Sequence, residues 1–121
     1  MIIRIIYIIF LLGIVRMESK IVASDGDIGD RFGRSVSISD VWLAIGANRD
    51  DDNGLNSGSV YVYRYENSVI LDEFKITPYD GENNDYFGKA ISLDGDRLAV
   101  SSVYDDVNGE KSGSAYIYYY N

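Results

Sequence analysis

The sequence predicts an all-β chain of antiparallel four-stranded sheets, and three observations carry that prediction. Lys20–Glu66 aligns with Lys75–Asn121 without a gap, at a spacing of 55 residues and with 20 identities in 47 pairs. Apolar and polar residues alternate with the period of two that strands require. Twelve glycines, one proline and eleven tyrosines suit many tight turns between aromatic strands. No stretch sustains a helical period.

The strands follow in order along each unit. Arg34–Ser39 alternates, with Val36 and Ile38 on one face and serines on the other. Trp42–Ala47 follows a two-residue turn at Asp40-Val41, where the second unit has Gly95-Asp96, a stronger hairpin signal. A polar loop covers residues 49–58. Ser59–Tyr65 alternates again, with Tyr61, Tyr63 and Tyr65 on one face. Ser68–Thr77 is the fourth strand and stops at Pro78. The second unit repeats the first three strands as Lys89–Asp94, Arg97–Ser102 and Ser114–Tyr120. Four sequential antiparallel strands describe a propeller blade, so the chain reads as a partial propeller of about two blades, residues 20–74 and 75–121. Repeats of this kind build binding scaffolds more often than active sites.

Composition narrows the function. At 121 residues the chain is one small domain. It has no cysteine, hence no disulfide or thiol chemistry, and no histidine, which removes the commonest general base and zinc ligand. A net charge of −8 opposes nucleic-acid binding.

Residues 1–16 differ in kind. Ile5–Val15 is an apolar run of 11 residues behind one cation, too short for a spanning helix of about 20 residues but fitting a secretory signal or membrane anchor. No small-residue cleavage pattern follows it. Two other readings stay open. Shifted by 55, Ile5–Phe10 falls on the strand Val60–Tyr65; alternatively, Met17 is the start, which leaves 19 acids against 9 bases, a charge of −10. A signal would make residues 17–121 a secreted or surface-anchored domain.

The pattern D-G-x-x-x-D-x-F-G, then D-D-x-N-G-x-x-S-G-S, then alternating aromatics, occurs twice over residues 20–121. It resembles the FG-GAP repeats of the integrin α-subunit propeller and of many bacterial and viral surface proteins. Phe32-Gly33 and Phe87-Gly88 match the Phe-Gly element. Gly46-Ala47 matches two-thirds of Gly-Ala-Pro, whereas the second unit has Ser101-Ser102-Val103 there. The resemblance implies a propeller fold and a binding or cell-adhesion role for a protein or glycan ligand. Independently of it, a phenylalanine here buries a large ring between blades. The glycine after it serves close backbone approach or positive φ.

The repeated loops offer chemistry. In related propellers such loops hold Ca²⁺. Asp50, Asp51 and Asn53, with Asp105, Asp106 and Asn108, are the candidate ligands beside Gly54 and Gly109. Calcium needs six to eight oxygens in a set pattern. Counting Gly54 as the sixth position puts Arg49 first and Ser57 ninth, and the second unit has Tyr104 and Ser112 there. The alternative is an Asx-rich turn. A second cluster, Asp25, Asp27 and Asp30 with Asp80, Glu82 and Asp85, reads as turn formation. Tyr61, Tyr63, Tyr65, Tyr116, Tyr118 and Tyr120 are either an aromatic binding surface or packing between blades. A hydrolase built on paired carboxylates is the rival function.

The strand order also bears on assembly. Glu18–Ala23 aligns with Glu73–Pro78, so the units run d, a-b-c-d, a-b-c. The early strand of one copy is of the type that completes the last blade of another, and rings need about four to eight blades. Three or four copies would supply them; a fragment that needs further blades of a longer chain is the other expectation.

Overall fold

The computed structural model describes residues 4–7 and 17–121. All of its regular elements are strands: β1 (Arg4–Tyr7), β2 (Met17–Lys20), β3 (Phe32–Ser39), β4 (Trp42–Ala47), β5 (Ser59–Glu66), β6 (Val69–Ile76), β7 (Ile91–Asp94), β8 (Arg97–Ser102) and β9 (Ser114–Tyr119). They form three antiparallel sheets in sequence order, β1-β2, β3-β4-β5-β6 and β7-β8-β9. The middle sheet is a complete blade, and the third sheet has its first three strands. The signal or anchor reading of residues 1–16 falls largely outside the described residues. Within that segment Arg4–Tyr7 pairs with Met17–Lys20, Arg4 opposite Lys20 and Ile6 opposite Glu18.

Turn chemistry sets the hairpins. Ser39 pairs with Trp42 across Asp40-Val41, with Asp40 at φ 52°. Asn67 and Ser68, both at positive φ, turn β5 into β6. Such residues tolerate the left-handed region that tight hairpins demand.

The core lies between the sheets. Ala44 and Val60 of the first blade meet Phe87, Leu98 and Val100 of the second, with Val62, Ile76, Tyr116 and Tyr118 around them. The opposite face of the first blade, with Ile45, Ala47, Tyr61 and Tyr63, is covered by Ile21, Ala23, Phe32 and Ile70. A blade covered on both sides has no single solvent face. Alternation therefore assigned β3 two faces without saying which one is covered. Val36 and Ile38 are exposed, while the serines point into the neighbouring blade. Ser35 Oγ donates to the Gly88 carbonyl at 2.7 Å, and Ser37 and Ser39 accept from the Leu93 and Gly95 amides.

A backbone seam joins the blades. The β4–β5 loop lies beside the start of the second unit, where Asn84, Tyr86 and Phe87 donate to the carbonyls of Leu55, Asn56 and Ser57 at 2.7, 3.1 and 2.9 Å. Gly58 and Phe87 form an isolated parallel bridge. Both Gly33 and Gly88 take φ near +90°. Only Gly88 also sits in a close approach, 2.6 Å from the Ser59 carbonyl oxygen to the Cβ it lacks.

Candidate functional site

Three of the repeat's acids converge on one lysine. Lys75 lies on β6, where its strand turns its ammonium toward the segment before β3 and the β4–β5 loop. Its Nζ is 2.7 Å from Asp25 and 2.7 Å from Asp50, and also pairs with Asp52. The ammonium stands 5.2 Å above the Tyr61 ring centroid. Tyr61 in turn donates its hydroxyl to Asp25 at 2.6 Å. Ser59 Oγ donates to Asp50 Oδ2, the same oxygen that Lys75 holds, and this carboxylate is only 3% exposed.

The electrostatics follow from these contacts. Burial opposes the charge on Lys75, but its bonds to Asp25, Asp50 and Asp52 outweigh it and hold its pKa above the usual lysine range. Lys75, and then Tyr61, hold the Asp25 carboxyl below the usual carboxylate range. Burial, then the Asp25 bond, pushes the Tyr61 hydroxyl up.

The first-loop residues expected to hold calcium have other partners here. The point shared by Asp25, Asp50 and Asp52 is taken by an ammonium. Asp51 Oδ1 accepts the Asn56 amide at 2.7 Å, and Asn53 spends its amide nitrogen as a donor to the Pro78 carbonyl. In the second loop Asp106 likewise accepts the Lys111 amide at 2.5 Å. Among the described residues the acids form no group of three or more placed to hold a metal ion. Asp51 and Asp106 are turn formers, each closing a bond to an amide five residues on. Asp30 and Asp85 do the same in the other cluster, accepting from the Asp27 and Glu82 amides at 2.8 Å. Burial raises the pKa of both carboxyls.

The second unit repeats this site without its cation. Tyr116 donates to Asp80 at 2.8 Å, as Tyr61 does to Asp25. Asp105 is 5% exposed, and its Oδ2 has no hydrogen-bond partner among the described residues. Val107 replaces Asp52.

The aromatic stripe divides. Tyr61 and Tyr63 are 1% and 0% exposed, which removes them from any accessible surface. Phe32 meets them edge-on at 5.3 and 6.5 Å, and Phe87 meets Tyr116 and Tyr118 in the same way at 5.4 and 6.2 Å. Tyr65 is half-buried and Tyr120 exposed. Tyr120 meets Trp42 in a tilted pair with ring centroids 4.8 Å apart. These two rings edge an open groove of about 160 Å³ between the blades, lined also by Phe74, Ile76, Leu93 and Tyr118. Trp42, Phe74 and Leu93 fall outside the regular identities of the repeat, so only their size marks the groove in the sequence.

The FG-GAP repeat matches residues 15–63 and 71–118. The chain belongs to the FG-GAP repeat family. Each match spans one unit of the strand pattern, and together they cover more than half the chain. An FG-GAP unit is a β-propeller-type module, generally without catalytic activity, and the sheets here are consistent with partial propeller blades. A comparison with curated proteins finds no match.

The structure gives the two named elements of an FG-GAP unit a joint role. Gly46, from the second element of one unit, faces Gly88, from the Phe-Gly of the next. A Cβ on Gly46 would run into the Gly88 carbonyl and Ser35 Oγ. Ala47 is fully buried behind it. At the equivalent place in the second unit, Ser101 carries the side chain that Gly46 lacks.

Proposed function

We propose that this chain is a non-enzymatic binding or surface-structural module, and that its ligand is the apolar side chains of a protein partner. The observation that carries this is the state of the carboxylates. A glycoside hydrolase needs one carboxylic acid that donates and one free carboxylate beside it. Here Asp25 and Asp50 share a lysine, Asp51 caps a turn, and Asp25 is held ionised. That arrangement serves packing rather than proton transfer.

The groove between the blades supplies the binding face. Trp42, Phe74 and Tyr120 present apolar edges with few polar groups, a lining suited to protein side chains more than to a glycan. Trp42 is the only tryptophan, so its emission reports occupancy of the groove directly. Peptides selected on the folded chain are expected to shift that emission, and Phe74→Ala to abolish the shift. Selected peptides that bind without changing Trp42 emission would place the binding face elsewhere. A panel of chromogenic glycosides should show no turnover; turnover lost in Asp50→Asn would establish the hydrolase instead.

A secreted or membrane-associated location, read from residues 1–16, belongs to the same proposal. It places the module outside the cell, where adhesion-type partners are met.

A further inference from the structure

The second blade carries a site that lacks one component. Among the described residues Asp105 is buried with one carboxylate oxygen unpartnered, and Asp80 beside it is bonded only by Tyr116. In the first blade the equivalent acids, Asp50 and Asp25, are closed by Lys75, which arrives on the fourth strand. The second blade has strands β7, β8 and β9, and the outer edge of β9 is unpaired among the described residues. One buried carboxylate and one strand edge therefore lack the same partner, a strand with a lysine at a fixed register.

The chain contains such a strand. Lys20 lies 55 residues before Lys75, ends β2, and is exposed. We propose that β2 of a second copy of this chain adds to the open edge of β9 and seats Lys20 on Asp80 and Asp105. The first blade fixes the register: Tyr61 lies opposite Lys75 and Val62 opposite Phe74. Shifted by one unit, Tyr116 lies opposite Lys20 and Ile117 opposite Ser19. The acceptor is acidic and buried and the donor is a cation, so the charges complement. Ile117 and Tyr119, 53% and 67% exposed at the edge strand, gain cover.

The exchange is like for like. Within one copy β2 pairs with β1 over four residues, with Arg4 opposite Lys20. The repeat register would put Ile6 there. That pairing is two residues out of step with the first blade, whereas β9 can take β2 in step over a longer strand. β9 of a neighbour thus replaces β1, as in domain swapping. Ser101 limits the contact to the strand and its lysine. The face-to-face approach that Gly46 allows in the first blade is not repeated there.

The test uses the full chain, which has no cysteine of its own. Ser19→Cys in one preparation and Ile117→Cys in another are mixed and oxidised. Directly opposed strand residues lie within disulfide reach, and residues displaced by two do not. The expected result is a covalent heterodimer, formed at least about tenfold more slowly when Lys20→Glu is added to the Ser19→Cys chain. Ala115→Cys in place of Ile117→Cys should give little product. Equal yields from both partners, no effect of Lys20→Glu, or a monomer at every concentration by light scattering would overturn the proposal. So would a calcium-dependent rise in melting temperature lost in Asp105→Asn, because the carboxylate would then hold an ion instead of Lys20.

Discussion

Gly46 and Gly88 touch across the two blades: a Cβ on Gly46 would stand 3.1 Å from the Gly88 carbonyl carbon and nearer still to its oxygen. One glycine comes from the second strand of its unit and the other from the turn that opens the next. The repeat thus joins neighbours at this contact, where Gly46 of one blade and Gly88 of the next leave room for each other.

Gly46→Ala should therefore destabilise the chain by about 1–3 kcal/mol, the range for overpacking a close contact. Gly33→Ala isolates backbone strain, because space around Gly33 is open and only its φ of +93° opposes a side chain. Urea unfolding of both variants should show the larger loss at Gly46. Equal losses would make backbone strain, and not blade contact, the common cause.

Phe87 is fully buried between the blades, while Phe32 is half-buried. Phe87→Ala is expected to cost about 3–5 kcal/mol, as for other buried rings. Phe32→Ala should cost distinctly less, although both rings meet their tyrosines in the same edge-on geometry. Chemical denaturation decides; a Phe32 loss as large as that at Phe87 would mean that more of the chain covers the first blade than Ile21 and Ala23.

Lys75→Met leaves Asp50 buried beside no cation. Breaking a buried pair by removing one partner costs about 3–5 kcal/mol, much of it from the charge left behind. Adding Asp50→Asn should then restore part of the loss. A double variant no more stable than Lys75→Met alone would show that the lysine acts through packing on Tyr61 and not through charge.

The pH dependence has two opposed parts. Asp25 has a folded pKa below its unfolded value near 3.8, so its contribution is present above that value and lost as pH falls through the folded one. Asp30 and Asp85 have raised folded values, so acidification through the same region favours the fold at those positions. Asp25→Asn should remove acid sensitivity below about pH 4, and Asp30→Asn, whose side-chain oxygen still accepts from the Asp27 amide, should raise stability at neutral pH. Melting curves from pH 2 to 7 separate the two (a range set by the carboxylate values).

Much of the fold was legible because a period of 55 and strict alternation act together. The strands β4, β5 and β8 lie where Trp42–Ala47, Ser59–Tyr65 and Arg97–Ser102 were expected, within one residue. What could not be read was which face each strand buries. Val36 and Ile38 look like core residues, yet blades packed on both sides let serines make the inter-blade contacts instead. The site was half legible. Asp25 and Asp50 stood out as acids, and the turn role of Asp51 and Asp106 follows from Asx chemistry. Lys75 did not stand out, since nothing local marks a lysine on a strand as the partner of two loops. Its identity with Lys20 was the available signal. The seam between Leu55–Ser57 and Asn84–Phe87 was invisible for another reason: it is made by backbone groups of two polar loops.

The two units should unfold as one cooperative stack and not as two sheets on a string. The Phe87 amide reports on this coupling, because its hydrogen bond to the Ser57 carbonyl crosses from one unit to the other. Amide hydrogen exchange followed by NMR should find it opening with the same free energy as the amides of β4 and β5, the free energy of global unfolding. A Phe87 amide that exchanges through a much cheaper local opening, while β4 and β8 keep full protection, would mean that the two sheets are independent.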